Sequence, residues 1–498
     1  MNLLSSLNIS AGALSVNEKA ISVVSHNVSN MNTEGYHKQR VNLQARNIAG
    51  QIGDNPYNQV RANGGVKIAN VMRYNDDYLN NYYRQQLSQK NFLEQQLGNL
   101  DDLAAIFDDL DGTGIDSALS SFYEALNNLN QYPASSTARS NFIETAKTLV
   151  STINTKNAQL NRLTGQALGD GLTEEGLKSS RIYSQYRELN NSLEELAAVN
   201  KALQTTQTGT LTANNLLDQR DLILHDISQY LDVTVDENAN GSVNVYLGNY
   251  ALVKGATVTG SLEVQTGDSY YQKHKEDYPD GWTGEAAVIS IVSRDGDSYE
   301  VIKENANADI TGGALGGLLH SATDNDDGVS TNAGTVQNAL NTLASTIANI
   351  FNEFNTREGA FCINPNDTTQ LQATNANNLI FVSNDPENSE INAGNISINT
   401  DLLTSSGIWN IACAYFENES EYPSETNPGA YNAVGNSSNV IDMLGTRNTG
   451  LKDLQGMSVE DYYSNLLGKI ASAGDSARSL YETQSDVVDS IENQLPPR

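Results

Sequence analysis

The sequence predicts an α+β protein. A long, coiled-coil-like helical bundle or rod is built from the N- and C-terminal parts, with a β-rich domain and a loop-rich insertion from the middle of the chain. Three observations carry this. A seven-residue apolar repeat opens the chain at Leu7, Leu14, Ile21 and Val28. Apolar stripes with alternating four–three spacing run up to Ile227 and return from Val336. Between them, around residues 233–247, apolar and polar residues alternate with period two. The first two patterns bury one face of a helix, and the third buries one face of a strand.

The opening repeat has intermediate positions Leu3, Ser10, Asn17, Val24 and Met31, of which Ser10 and Asn17 are polar. A strict seven-residue period marks a helix that expects another helix beside it. The pattern stops in Asn27-Val28-Ser29-Asn30-Met31-Asn32-Thr33-Glu34-Gly35-Tyr36, where Gly35 fits a left-handed cap that ends the helix and turns the chain. A second stripe runs through Leu79, Tyr83, Gln86, Lys90, Leu93, Leu97, Leu100, Ala104 and Phe107, with Gln86 and Lys90 breaking its apolar character but not its phase. Such a helix is about 40 Å long. Further helices fit Phe142 to Leu163, Ile182 to Leu203 (with Asn200 in its stripe) and Leu216 to Ile227.

After Tyr230, Val233 and Val235 alternate with polar residues, Asn240-Gly241 makes a turn, and Val243, Val245 and Leu247 resume the alternation. Short strands follow at Ala287–Val292 and Tyr299–Ile302. A helix returns through Val336, Leu340, Leu343, Ile347, Ile350 and Phe354, and the last stripe runs from Val459 through Tyr463, Leu466, Ile470 and Gln484 to Ile491. The expected organisation is an N-terminal helix and turn (1–60), the first part of the helical rod (61–231), a β-rich outer domain (232–332), the return helix (333–358), a loop-rich surface insertion (359–440) and the second part of the rod (441–498).

Composition narrows the function. The chain has 498 residues with 29 Lys+Arg against 60 Asp+Glu, a formal charge of −31. Such a surface repels nucleic acid and anionic lipid, so neither is expected as a partner. No apolar run is long enough to span a membrane, and the N-terminus shows no cleavable secretory leader, which leaves the cytoplasm or export by an uncleaved route. Cys362 and Cys413 are the only cysteines and form no metal-type motif. Two isolated core thiols is the preferred reading, and a pair joined after export is the alternative.

No catalytic, cofactor-binding or metal site is expected. Asp109-Leu110-Asp111-Gly112-Thr113-Gly114-Ile115-Asp116 looks like half a calcium loop, but its twelfth position is Ser120 where a bidentate Glu is needed. Asp324-Asn325-Asp326-Asp327-Gly328 fails in the same way at Thr335. The histidines His26, His37, His225, His274 and His320 show no zinc spacing, and Gly312-Gly313-Ala314-Leu315-Gly316-Gly317 lacks the Lys-Ser/Thr of a phosphate loop. Close backbone packing is the better reading of those glycines. The expectation is a protein that is not an enzyme.

The opening repeat together with its Asn-x-Asn-Thr-x-Gly-Tyr ending resembles the N-terminal signature of the bacterial flagellar axial proteins, which build rod, hook and hook–filament junction. The run Asn214-Asn215-Leu216-Leu217-Asp218-Gln219-Arg220-Asp221, with Ser228 to Val235 and Asn240 to Val245, is more specific. It resembles the hook-associated protein 1 family, the first junction proteins between hook and filament. Ser121 to Leu126 with Pro133 and Arg139, and Gly312–Leu319 with the helix after it, agree with the same family.

The resemblance implies a structural flagellar subunit, exported without a cleaved signal peptide. Its partners would be further copies of itself in a ring, the hook protein and the next junction protein. It implies assembly-interface residues Leu7, Leu14, Ile21, Val24, Val28, Asn30, Asn32, Thr33, Gly35 and Tyr36, and a family core of Leu216, Leu217, Asp218, Arg220 and Asp221. Read from the residues alone, Asp218, Arg220 and Asp221 share one turn. Arg220 either closes a local salt-bridge cluster, the preferred reading, or reaches a partner chain. The family continues into a C-terminal apolar helix, gripped by an export chaperone, that pairs with the N-terminal one. After Asn493 this sequence instead reads Gln494-Leu495-Pro496-Pro497-Arg498, so that helix and the chaperone partnership are not expected here. The alternative function is a secreted adhesin-like or immunomodulatory surface protein.

Overall fold

The computed structural model describes residues 3–49, 61–108, 112–279, 286–295, 298–323, 331–386, 388–424 and 426–495. The half-calcium residues Asp109, Leu110 and Asp111, the Asp324–Gly328 loop, the closing Pro496, Pro497 and Arg498, and the side chain of Leu3 lie outside them.

The chain is α+β, with long helices and small antiparallel sheets. In order, its first part runs α1 (Leu3–Ser29), β1 (Gln39–Ala49), β2 (Arg61–Arg73), α2 (Asp77–Ile106), α3 (Ile115–Gln131), α4 (Ser136–Leu168), α5 (Glu174–Lys178), α6 (Arg181–Thr205) and α7 (Leu211–Tyr230). The middle runs β3 (Thr234–Glu237), β4 (Val243–Leu247), β5 (Tyr250–Lys254), β6 (Thr257–Val258), β7 (Ser261–Thr266), α8 (Gly267–Lys273), β8 (Ala287–Asp295) and β9 (Ser298–Lys303). Then come α9 (Gly313–Ala322), α10 (Ala333–Thr356), β10 (Ala360–Ile363), β11 (Leu371–Ala373), β12 (Phe381–Ser383), β13 (Ile396–Ile398), β14 (Ala414–Tyr415), α11 (Pro428–Tyr431), α12 (Ser438–Gly445) and α13 (Val459–Gln494). The chain folds into two units, one of Met1–Gln96, Leu168–Leu319 and Arg478–Arg498, the other of Leu97–Ala167 and His320–Ala477.

In the first unit α1 lies on the β1–β2 hairpin, and α6 and α7 pack together. The hairpin goes unread in the sequence because of its bulges. Val41 pairs with Val71 but Leu43 pairs with Ile68, so the period-two alternation of β1 is broken in β2. The β3–β4 hairpin does form where the alternation predicts it, closed by Gly241 N–H donating to the Asn238 carbonyl at 2.9 Å. It belongs to a sheet ordered β3-β4-β5-β6, and β7-β8-β9 make a second sheet.

Polar residues inside the apolar stripes find specific partners. Asn200 on α6 donates to the Val243 and Gly255 carbonyls at 2.8 and 2.7 Å and accepts from Val243 N–H at 2.9 Å, which clamps the sheet to the helix. Gln484 of α13 donates 2.9 Å bonds to the carbonyl and side-chain oxygen of Gln86 on α2, so one of the two residues that break the α2 stripe meets a polar position of the last stripe. The glycine run starts α9, a helix inside the stretch expected to be β-rich. A Cβ on Gly317 would sit 2.6 Å from the Phe92 carbonyl, so only glycine allows the approach of α9 to α2.

The second unit has a large core in which Phe122, Phe142, Phe351, Phe381 and Tyr463 are fully buried. Phe351 meets Phe122 edge-on at 5.0 Å between ring centres. The loop-rich insertion is more than surface. Ile380, Phe381, Ile396, Ile411 and Cys413 belong to the same core as α3, α4, α10 and α13. Asparagine side chains hold this irregular backbone. Asn352 accepts from Ile380 and Phe381 N–H at 2.8 and 2.9 Å and donates to the Phe381 carbonyl at 2.8 Å. Asn355 accepts from Ala412 N–H at 2.7 Å, and Asn439 donates to the Ala412 carbonyl at 2.8 Å. Each supplies the donor or acceptor that a neighbouring strand would otherwise offer.

Arg139 is the largest fully buried side chain among the described residues. It donates to the Pro133, Ile408 and Ile411 carbonyls at 2.8, 3.3 and 2.9 Å and to Cys413 Sγ at 3.1 Å. Trp409 stacks on it, with 5.3 Å from the guanidinium carbon to the ring centre. Removing the fork leaves several buried carbonyls without donors. Arg139→Met is expected to lower unfolding free energy by about 3 kcal/mol, and Arg139→Lys by less, in urea denaturation of the full chain.

Candidate functional site

The N-terminal helix has two apolar faces. Ile9, Val16 and Val23 recur every seven residues, and Val16 and Val23 are buried. A Cβ on Gly65 of β2 would touch Ile9 Cγ2 at 3.3 Å, which locates this face against the hairpin. Leu7, Leu14, Ile21 and Val28 lie two residues from that series, about 200° around the helix at 3.6 residues per turn. They are 66%, 63%, 69% and 64% exposed, and Val24 and Met31 are exposed beside them. The predicted stripe is therefore present, continuous and uncovered, and a second face, absent from the sequence reading, holds the helix to its own chain.

The helix ends earlier than the glycine cap implied. Its last residue is Ser29, and Gly35, with φ +73°, serves a later turn. Asn30 ends the helix instead, its backbone N–H and side-chain amide both donating to the His26 carbonyl, at 3.1 and 2.9 Å. Asn32 and Thr33 are exposed at the tip of the turn. Tyr36 turns inward and is buried; its hydroxyl donates to Asn27 Oδ1 at 2.6 Å and lies 3.0 Å from His26 Nδ1. Asn27 also accepts from Gln39 N–H at 3.0 Å and donates to the Gln39 carbonyl at 2.8 Å. Thus Leu7, Leu14, Ile21, Val24, Val28, Asn32 and Thr33 face outward, whereas Asn30, Gly35 and Tyr36 serve the turn itself.

That turn is docked on α7. A Cβ on Gly35 would already touch Leu222 Cβ at 3.4 Å. Asp218 Oδ1 accepts from Arg73 Nε at 2.7 Å and lies 2.8 Å from His37 Nδ1, while its Oδ2 accepts from the His37 backbone N–H at 3.3 Å. Asp221 lies between two guanidiniums, Arg73 on one oxygen and Arg220 on the other, the latter with bonds of 2.9 and 2.7 Å. Arg220 Nη1 continues to the Gly241 carbonyl at 2.6 Å and to Glu237 at 3.1 Å, and Leu217 packs beneath Gly241. Leu216 is half-buried on the same helix.

Asp218, Arg220 and Asp221 share one turn of sequence, but nothing there marks Arg73 or His37, which lie 145 and 181 residues before Asp218. Burial alone pushes the Asp221 carboxyl up, yet Arg73 and Arg220 outweigh it and hold the group well below the usual carboxylate range. Burial pulls Arg220 down, while Asp221 and Glu237 more than restore it. Among the described residues no group of three or more His, Cys, Asp or Glu is placed to hold a metal ion, and no helix is long and apolar enough to cross a membrane.

A carboxyl depressed in the folded chain makes the unfolded chain bind more protons below about pH 4, so the stability from Asp221 is complete above that pH and is lost as pH falls. Asp221→Asn leaves two buried guanidiniums short of a carboxylate. It is expected to cost about 3 kcal/mol at pH 7 and to flatten the acid limb of a stability–pH profile measured by denaturant unfolding.

The family profile "Flagellar hook-associated protein FlgK helical domain" matches residues 100–360, and "Flagella basal body rod protein" matches residues 7–37. Flagellar hook-associated protein 1 of Bacillus subtilis (strain 168) is 25% identical over 503 residues, covering 97% of this chain and 89% of that one. The protein of the same name from Salmonella typhimurium is 25% identical over 361 residues, covering 70% of this chain and 56% of that one. The solved flagellar hook junction protein FlgK from Burkholderia pseudomallei shares the fold, with TM-score 0.60 at 14% identity over 83% of this chain and 99% of that one.

Proposed function

This chain belongs to the FlgK family of flagellar hook-associated proteins, and on that footing we propose that it is the structural subunit that joins hook to filament in the bacterial flagellum. The observation that carries the reading is the uncovered stripe Leu7, Leu14, Ile21, Val24 and Val28 on a helix whose other face is committed to its own hairpin. Large apolar side chains in an unbroken row are unfavourable in water, and burying each against a neighbouring helix stabilises by about 1.5–3 kcal/mol. A subunit held by such contacts needs no chemistry, and its work is mechanical. Its neighbours would be copies of itself in a ring, the hook protein below and the next junction protein above. Delivery would use the flagellar export route without a cleaved signal peptide. The acidic surface supports this, since like-charged free subunits repel until the apolar stripe is engaged.

Electron microscopy of cells lacking this gene tests the role. Hooks without filaments, restored by the gene supplied in trans, are the expected result; normal filaments with lost surface attachment would overturn it in favour of an adhesin. Leu14→Asp or Ile21→Asp is expected to leave the circular dichroism spectrum and melting temperature unchanged, because both residues are exposed. Each should abolish incorporation at hook ends in the same cells, and normal incorporation of either variant would sink the proposed interface.

A further inference from the structure

We propose that Cys362 and Cys413 are a modification site, a thiol pair set to close one intrachain disulfide between β10 and β14. The strands pair antiparallel with Ala360 opposite Tyr415 and Phe361 opposite Ala414, so the next step of the same register puts Cys362 opposite Cys413. The backbone at that step faces away from the pair. Cys362 pairs with Gln372 of β11 on its other side, and the Cys413 carbonyl accepts from Asn439 N–H at 3.0 Å. This is the non-hydrogen-bonded kind of cross-strand position, in which the Cα atoms approach to about 4.5 Å and the side chains stand closest. A disulfide requires Cα atoms about 4.4–6.8 Å apart.

The two thiols also share a face. Phe361 and Ala414 join one apolar cluster, and alternation along each strand sends Cys362 and Cys413 to the opposite side, where Cys413 lies in the large core. Arg139 Nη2 donates to Cys413 Sγ at 3.1 Å. Burial pushes both thiols up, and the same guanidinium pulls both back down, as expected of two sulfurs around one cation. Neither alternative use of the thiols fits as well. No third ligand makes a metal site among the described residues, and exposures of 0% and 2% exclude reaction in the folded chain.

The bond therefore closes as the chain folds, by exchange with a low-molecular-weight disulfide. One protein thiolate attacks that disulfide, forming a mixed disulfide and expelling one thiolate. The second protein thiolate attacks the protein sulfur of the mixed disulfide, forming the Cys362–Cys413 bond and expelling the other. The two protons lost by the protein thiols go to the two small thiols, so the protein is oxidised by two electrons and the reagent reduced by two. The product ties both ends of the Asn-rich stretch from 363 to 412 to the sheet. None of this depends on the flagellar reading, which concerns only where the chain would meet such a reagent.

Full-length protein, unfolded under reduction and refolded in oxidised and reduced glutathione, tests the site by alkylation and peptide mass mapping. The expected product is monomeric, has lost two hydrogens, resists alkylation after unfolding and yields a Cys362–Cys413 cross-linked peptide. Its melting temperature should exceed that of the reduced chain by about 5 °C or more. Cys362→Ser and Cys413→Ser should each lose the redox dependence of melting while matching the reduced wild type. Two alkylatable thiols in the refolded chain, glutathione on each cysteine, interchain dimers, or an oxidised chain without the native circular dichroism spectrum would each overturn the proposal.

Discussion

The first unit depends on a neutral knot of buried charge. Asp218 and Asp221 face Arg73 and Arg220, and all four side chains are less than 10% exposed. Desolvating any one alone costs several kcal/mol, so the knot is tolerable only when every member is in place. The four charges come from the end of β2 and the middle of α7, and His37 from the turn after α1 and the Gly241 carbonyl from the turn of the β3–β4 hairpin bond to them. Few arrangements of these segments satisfy all the charges together. The knot therefore selects a position for the hairpin that carries α1, and through it decides which face of α1 is left open.

A second device recurs where backbone cannot form regular ladders. Asn200, Asn352, Asn355 and Asn439 each reach backbone carbonyls or amides of a neighbouring strand end or loop from a helix. An asparagine amide presents one donor side and one acceptor side, the same face a peptide group shows to its neighbour in a sheet. A segment rich in polar residues can thereby be ordered against a helix without a long apolar stripe of its own. Gln86 and Gln484 extend the idea to a helix–helix seam, where a polar pair accepts only the register that brings the two residues opposite each other.

The regular parts of the fold were readable because burial imposes a period. The stripes of α2, α4, α6, α10 and α13 and the Asn-Gly hairpin all appear in the sequence at the positions where they form. Most of what escaped had no period to show. Bulges scramble β2, and Ile380, Phe381, Ile396 and Ile411 are too scattered to signal a shared core. On α1 the sequence offers two seven-residue series, Leu7-Leu14-Ile21-Val28 and Ile9-Val16-Val23, and gives no ground for deciding which is covered. The charge knot was half legible. Asp218, Arg220 and Asp221 lie within one turn, but Arg73 stands 145 residues before Asp218 and no local pattern marks it.

The double-faced geometry of α1 also restricts how such a chain can change over time. Side chains on either face can be exchanged for others of similar size and polarity. The number of residues cannot, because each insertion or deletion inside a helix rotates everything beyond it by about 100°. One added residue between Gly12 and Leu14 would keep the C-terminal half of the helix on the hairpin while swinging Leu7 out of line with Leu14 and Ile21. The helix is thus permissive in spelling and strict in length, the behaviour of a ruler.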